Sequence, residues 1–412
     1  MNQNHEIISR LLPDTERFLC DLIRFPSTSG RENEAMQFIH DELRRAGLVA
    51  ARVPLADSLL KDPDYSDPIP GITYDGRFNV RIARPGRGGG RTLLFNTHVD
   101  VVPPSENMET PWTPRVMDGV IHGRGACDAK GQVATVYLVL RALAALNPPL
   151  LGDVIAHLVV EEENGGNGSL AMARHGEKAD GCVVLEPSGG KLFTAIRGAI
   201  WFKLTCTGRA GHSGQAGVTR SALLMARDAI KTLEEYHARL LAASRGHPLF
   251  DPYPNPMPIT FGRLDAGNWP ASAPSHAVLE GVLGLLPNKT KEQVCAEFIA
   301  ALRGSGDEFF NQNTAVHFMY RHDSSVCDPS HALPQTILRV ANGANVPVEV
   351  AGMTASCDAW LYNNQLGIPT VVYGPGTLKV AHSKDEQIEM RDIAAAAEIL
   401  LTTTLEYCGV KA

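Results

Sequence analysis

Two hydrophobic periods alternate along the first half of the chain. Residues 91–97, containing Leu93-Leu94-Phe95, the run 154–160 and the stretches 181–185 and 369–373 are short, apolar and bounded by turn residues. Such runs predict buried strands, and 154–160, rich in β-branched residues, reads as a buried parallel one. Between them, Val133, Val136, Tyr137 and Leu140 recur at helical spacing within 129–146. Strand and helix patterns continue to alternate until about residue 190, which is α/β order.

The middle of the chain has a different texture. Residues 199–207 alternate as a strand, and 221–241 carry Leu223, Ala226, Ile230, Leu233 and Leu240 on one helical stripe. Strand-like 277–286, a helix near 291–302 and strand-like 315–320 come next, with proline-rich 247–258 as a loop. This predicts an α+β layer inserted between about 196 and 324, dividing the first domain into segments 1–195 and 325–412. No internal repeat or low-complexity tract interrupts the pattern.

Composition narrows the class. With 412 residues, 44% hydrophobic and 20% charged, the chain can bury more than one core. A net charge of -7 and the lack of a lysine- or arginine-rich block argue against a nucleic-acid partner. The start, Met1-Asn2-Gln3-Asn4-His5-Glu6, has neither a basic nor an apolar leader region, and no apolar run is long enough to cross a bilayer. A cytoplasmic protein without a membrane partner is expected. The eight cysteines contain no C-x-x-C pair, so reduced, buried thiols are expected rather than disulfides or a structural zinc site.

Candidate chemistry collects where the strands end. Glu161-Glu162-Glu163 comes directly after the run 154–160 and opens the glycine-rich Asn164-Gly165-Gly166-Asn167-Gly168. Asn96-Thr97-His98-Val99-Asp100 ends another strand with His-x-Asp, in which an imidazole can ligate metal while the carboxylate fixes its tautomer. Asp128 sits in a turn before a helix, Glu186 comes after 181–185, and His382 lies beyond Gly374-Pro375-Gly376. Each has a plain structural reading: a solvated acidic run, an incidental pair, a helix N-cap. Together they offer two imidazoles and several carboxylates, donors that suit zinc, cobalt or manganese better than calcium.

The ordered set Asn96 to Asp100, Gly125-Ala126-Cys127-Asp128-Ala129-Lys130-Gly131, Glu161-Glu162-Glu163 with Gly165 and Gly168, Leu185-Glu186-Pro187, Gly211-His212-Ser213 and Gly374 to Ser383 resembles the zinc aminoacylase and carboxypeptidase family, which includes acetylornithine deacetylase, succinyl-diaminopimelate desuccinylase and glutamate carboxypeptidase. Ser27 to Glu32 and Asp385-Glu386 extend the likeness over nearly the whole chain. The resemblance implies a three-layer α/β catalytic domain of zinc-peptidase type with an inserted α+β lid and dimerisation domain. It also implies two zinc ions bridged by Asp128, with His98 and Glu186 on one and Glu163 and His382 on the other; cobalt or manganese are substitutes. By the same resemblance Asp100 would support His98, and Glu162 would be the general base that takes the proton of a metal-bound water and returns it to the leaving amine. His212, and with it Asn268 in Gly267-Asn268-Trp269-Pro270, would stabilise the oxyanion, His212 by reaching a partner subunit's site, so a homodimer is implied.

Weaker motifs add nothing to this picture. Gly86 to Gly90 lacks the Gly-Lys-Ser/Thr ending of a phosphate cradle, and Gly211-His212-Ser213-Gly214 lacks the spacing of a nucleophile elbow. Cys127 reads as packing. The expected activity is removal of an N-acyl group from a small amino-acid-like amine; a carboxypeptidase or dipeptidase, a deformylase of a non-amino-acid amide and a metal-free binding homologue are the alternatives. One departure bears on the substrate. Relatives commonly carry an arginine in the strand after the Asn-x-Pro segment, and in several it binds a substrate carboxylate; here Leu279-Glu280-Gly281-Val282 has valine at that place, with Arg197 or Arg220 as the basic residues that could replace it.

Overall fold

The computed structural model describes residues 3–214 and 217–411. Met1 and Asn2 of the amino-terminal stretch, Gln215 and Ala216 beyond the Gly211-His212-Ser213 motif, and Ala412 at the end of the second segment lie outside the described residues.

The apolar runs of the first half share one nine-stranded sheet. Its successive neighbours are Ala50–Pro54, Phe78–Arg84, Val154–Val159, Leu93–His98, Gly181–Val184, Thr370–Val372, Lys191–Ile196 and Ser325–Val326, and Glu349–Met353 pairs with Lys191–Ile196 as well. Four central neighbours, from Val154–Val159 to Thr370–Val372, run parallel. All their residues are buried, which is why they are continuous apolar runs rather than alternating ones. Val154–Val159 is parallel on one side only, since its other neighbour, Phe78–Arg84, is antiparallel. That neighbour carries a period-two signal of its own, with Phe78, Val80 and Ile82 alternating against Asn79 and Arg81. Helices Gln3–Ile23, Lys130–Leu146 and Met390–Cys408 pack on one another, and the last two also touch Leu93–His98.

A second, four-stranded sheet lies between residues 198 and 322 in the order Ile259–Ala266, His276–Leu285, Gly198–Thr207, Thr314–His322, antiparallel throughout. Ile200, Phe202, Leu204 and Cys206 alternate inward and meet Ala226 and Leu233 of helix Ala222–Ala243 and Phe298 of helix Lys291–Ser305. This core is separate from that of the large sheet. The chain changes sheets at Arg197 and returns between His322 and Ser325. Ile196 pairs with Ser325 on one side of the crossing and Ala199 with His322 on the other. All eight cysteines are free, and no helix of the described residues is long and apolar enough to cross a membrane.

Candidate metal centre

Because the four central strands are adjacent and parallel, their carboxyl ends open on one edge of the sheet, where open α/β sheets hold ligands. Val154–Val159 delivers Glu161 to Glu163 there, Leu93–His98 ends on His98, Gly181–Val184 leads to Glu186, and Thr370–Val372 leads through Gly374 to His382. Asp128 enters from the turn before Lys130–Leu146, whose N-cap is Ala129; no side chain caps that helix, so Asp128 is not a capping residue. The glycines of the acidic loop are required by close approach. A Cβ on Gly168 would lie 2.1 Å from the carbonyl oxygen of Val160, and Gly165, at φ +118°, sits against Ser66 and Tyr320.

The expected ligands meet. Nε2 of His98 lies 3.1 Å from Oδ1 of Asp128 and 3.8 Å from Oε2 of Glu186. Nε2 of His382 lies 3.4 Å from Oδ2 of the same aspartate and 3.1 Å from Oε1 of Glu163. Asp128 thus presents one oxygen to each imidazole. Ligand atoms of His98, Asp128 and Glu163 lie within 4.8 Å of one another, as do those of His98, Glu162 and Glu186. Among the described residues no ion pair joins Glu162 to either histidine, although its neighbour Glu163 has one.

Asp100 touches more than His98. The nearest acceptor for Nδ1 of His98 is the backbone oxygen of Asp100 at 2.9 Å, while a carboxylate oxygen of Asp100 stands 3.5 Å away. That carboxylate instead accepts the backbone N–H groups of Glu162 and Glu163 at 3.0 and 3.1 Å. It therefore orients a histidine and both glutamates together. Glu386 does the same for the other loop, accepting the backbone N–H groups of Cys127 and Asp128 while paired with buried Arg124.

Burial is the leading influence on most of these charges. It lifts the Glu163 and Glu186 carboxyls to about 7 and Glu162 well above the carboxylate range, with neighbouring acids adding to the effect and His98 opposing it. Burial would raise Asp128 too, but hydrogen bonds from His382 and His98 hold it below its ordinary value. Burial would strip His98 of its proton, yet Glu186, Asp100 and Asp128 keep its pKa well above 6.5. His382 is pushed up to about 10 by its hydrogen bonds to Asp128 and Glu163. The carboxylates thus draw both imidazoles toward their protonated form. Metal ions would displace those protons, and a donor set of two imidazoles and several carboxylates fits zinc-type ions.

His212 and Asn268 stand apart from this cluster. His212, on the short strand Gly211–His212 paired with Ser272–Ala273, is exposed, and its Nδ1 accepts the Gly214 N–H. Asn268 lies nearby on the exposed loop after Ile259–Ala266. Several buried residues at the centre carried no motif. Asp358 is 1% exposed, its charge bears on Glu162 and Glu186, and burial lifts its own pKa to about 7. Tyr320, stacked on Trp201 with ring centroids 5.2 Å apart, reaches from the second sheet to the hydroxyl of Ser356. Neither residue type nor spacing marks them in sequence.

The model of peptidase family M20/M25/M40 matches residues 94–406. The chain belongs to this family. It is 27% identical to the N-formyl-4-amino-5-aminomethyl-2-methylpyrimidine deformylase of Halalkalibacterium halodurans, over 94% of this chain and 92% of that one. It is 35% identical to the succinyl-diaminopimelate desuccinylase of Methylobacterium radiotolerans, over 48% of this chain and 49% of that one. The solved structure of the dipeptidase Dug1p of Saccharomyces cerevisiae shares the fold, with a TM-score of 0.79 at 14% identity and 98% of each chain covered. As a member of this peptidase family the protein is a metal-dependent hydrolase of amide bonds.

Since the carboxylate neighbours raise the proton affinity of both imidazoles, metal must compete with protons there, and loading should release protons and weaken as pH falls. Titration calorimetry in buffers of differing ionisation enthalpy should show net release, with up to two ions per chain by elemental analysis. Metal affinity that is unchanged between about pH 8 and 6 would exclude His98 and His382 as ligands.

Proposed function

We propose that the protein removes an N-acyl group from a small amino-acid-like amine, with Glu162 as general base. The observation that carries this is Asp128, whose two oxygens face different imidazoles while Glu162 stands in the same cluster paired with neither. In this reading His98 and Glu186 hold one ion, Glu163 and His382 the other, and Asp128 both. The ions, zinc in our assignment, supply the Lewis acidity that makes a water acidic near neutrality. Glu162 takes the proton of the attacking water and returns it to the leaving nitrogen. Its burial among other acids raises its proton affinity, which suits a group that must accept a proton and hold it through the reaction. Asp100 keeps Glu162 and Glu163 in fixed relation. Exposure of His212 on the short strand paired with Ser272–Ala273 supports a role at the site of a second subunit, where it and Asn268 would donate hydrogen bonds to the developing oxyanion. The inserted 196–324 segment then acts as a lid and dimerisation domain, and the working unit is a homodimer.

A second reading, deformylation of a heteroaromatic amine, is favoured by one row of the small sheet. Thr260, Val282, Trp201 and Tyr320 are direct cross-strand partners and so share a face. Where relatives place an arginine this row has valine beside a tryptophan, a surface for a flat ring rather than a carboxylate. Of the alternatives for a cation, Arg220 pairs with Asp307, and Arg197 donates to the carbonyl oxygens of Thr354 and Gly198. A panel of N-formyl, N-acetyl and N-succinyl amines and dipeptides, read by product mass spectrometry on metal-loaded protein, tests both readings; turnover of dipeptides alone would overturn them.

Three outcomes are expected. Glu162→Gln should keep its metal and lose about two to four powers of ten in turnover, whereas Glu163→Gln should weaken metal binding; exchanged phenotypes would reverse the two roles. His212→Ala should be almost inactive yet regain activity when mixed with Glu162→Gln, because one hybrid site holds both intact groups; no recovery despite proven subunit exchange would reject action across subunits. Amidating or esterifying the carboxylate of the best substrate should lower kcat/KM by less than about tenfold, or about 1.4 kcal/mol. A loss beyond about a hundredfold would point to a retained cation such as Arg197.

A further inference from the structure

Behind the cluster lies a second set of buried charges that the proposed chemistry does not use. Glu161, one residue before the proposed base, is fully buried and adopts φ +61°, a left-handed conformation uncommon for a residue with a side chain. Its carboxylate is gripped from three sides: by Nη1 of Arg77, by the hydroxyl of Tyr74 at 2.9 Å and by Nδ2 of Asn167 at 2.9 Å. Arg77, 5% exposed, turns Nη2 to the fully buried Glu32 at 2.7 Å. Glu32 in turn accepts the Gly30 N–H at 2.9 Å, and Ser29 beside it donates to Asp100 at 3.3 Å. The segment 29–32 therefore holds the acidic loop twice, through Arg77 to Glu161 and through Asp100 to the amides of Glu162 and Glu163.

We propose that Arg77 is a positioning residue for Glu162: by clamping Glu161 to Glu32 it fixes the turn at which the strand delivers the next two carboxylates. A left-handed residue persists only where its surroundings over-determine it. Here the determinant is a planar guanidinium, which can serve two carboxylates at a set angle; a lysine ammonium supplies charge without that fork. If the clamp slackens, Glu161 can relax toward an extended backbone, and Glu162, attached through one peptide, swings with it. Displacement of a reacting group by about 1 Å can cost about a hundredfold in rate.

The positioning role of Arg77 rests on the role assigned to Glu162, and the experiment separates the two. Arg77→Lys is made alone and with Glu162→Gln, and kcat, KM, melting temperature and metal content are measured at saturating metal. The single variant should fold, bind metal and keep KM within about threefold, while kcat per metal-loaded chain falls about 10- to 100-fold. In the Glu162→Gln background the same substitution should cost almost nothing more, since there is no base left to misplace. An unchanged kcat per metal-loaded chain, with only the melting temperature lowered, would make Arg77 merely structural; equal losses in both backgrounds would show that it does not act through Glu162. Either overturns the proposal. Full activity of Glu162→Gln alone would instead overturn the role of Glu162 as base. Should Arg77→Lys fail to fold, Glu161→Gln, which keeps size and one acceptor oxygen while losing the charge that Arg77 grips, carries the same expectation and the same refutations.

Discussion

Carboxylates crowded together repel one another and resist leaving water, and the centre of this protein gathers buried Asp128 and Glu186 with half-buried Glu162 and Glu163 at one sheet edge. Such a group exists only if positive charge is supplied within a few ångströms. The same demand explains the raised proton affinities of the glutamates and of both imidazoles and the fitness of the site for divalent ions. It also makes the position of each side chain matter, because attraction and repulsion in a poorly solvated site change steeply with distance.

The fold meets that demand by gripping backbone rather than side chains. Asp100 holds the amides of Glu162 and Glu163, Glu386 those of Cys127 and Asp128, and each of these two acids has its own cationic neighbour, His98 or Arg124. The two loops that carry Asp128, Glu162 and Glu163 are thus anchored through their peptide groups, leaving the carboxylates free to face the centre. Buried ion pairs are weak stabilisers, since desolvation offsets their attraction. Their work here is directional.

Much of this arrangement was legible in the sequence because it depends on chain position. A parallel strand with both faces covered must be continuously apolar, and its end is the natural place for polar chemistry, so His98, Glu162, Glu163, Glu186 and His382 could be found among the polar residues at or beyond the end of each apolar run. Convergence was not legible, for it depends on strand order, and the sheet order places Leu93–His98 between two strands that come later in the chain. Nor were Arg77, Asp358 and Tyr320. Their partners lie 84 positions away for Arg77 and Glu161, and 36 for Tyr320 and Ser356, so no local pattern could announce them. Phe78–Arg84 is the exception, a strand whose alternation of Phe78, Val80 and Ile82 against Asn79 and Arg81 was present in the sequence.

The paired crossing between the two sheets has a consequence for how such a molecule can diversify. Ile196 faces Ser325 just before the chain departs, and Ala199 faces His322 just after, so the outgoing and returning strands are neighbours at the point of exit. To the large sheet, everything between is a long hairpin loop with its ends already joined. Its contents can grow, shrink or be exchanged without altering the order of a single strand beneath His98, Glu163 and Glu186, so the inserted segment is free to change while the sheet edge that gathers those side chains stays as it is.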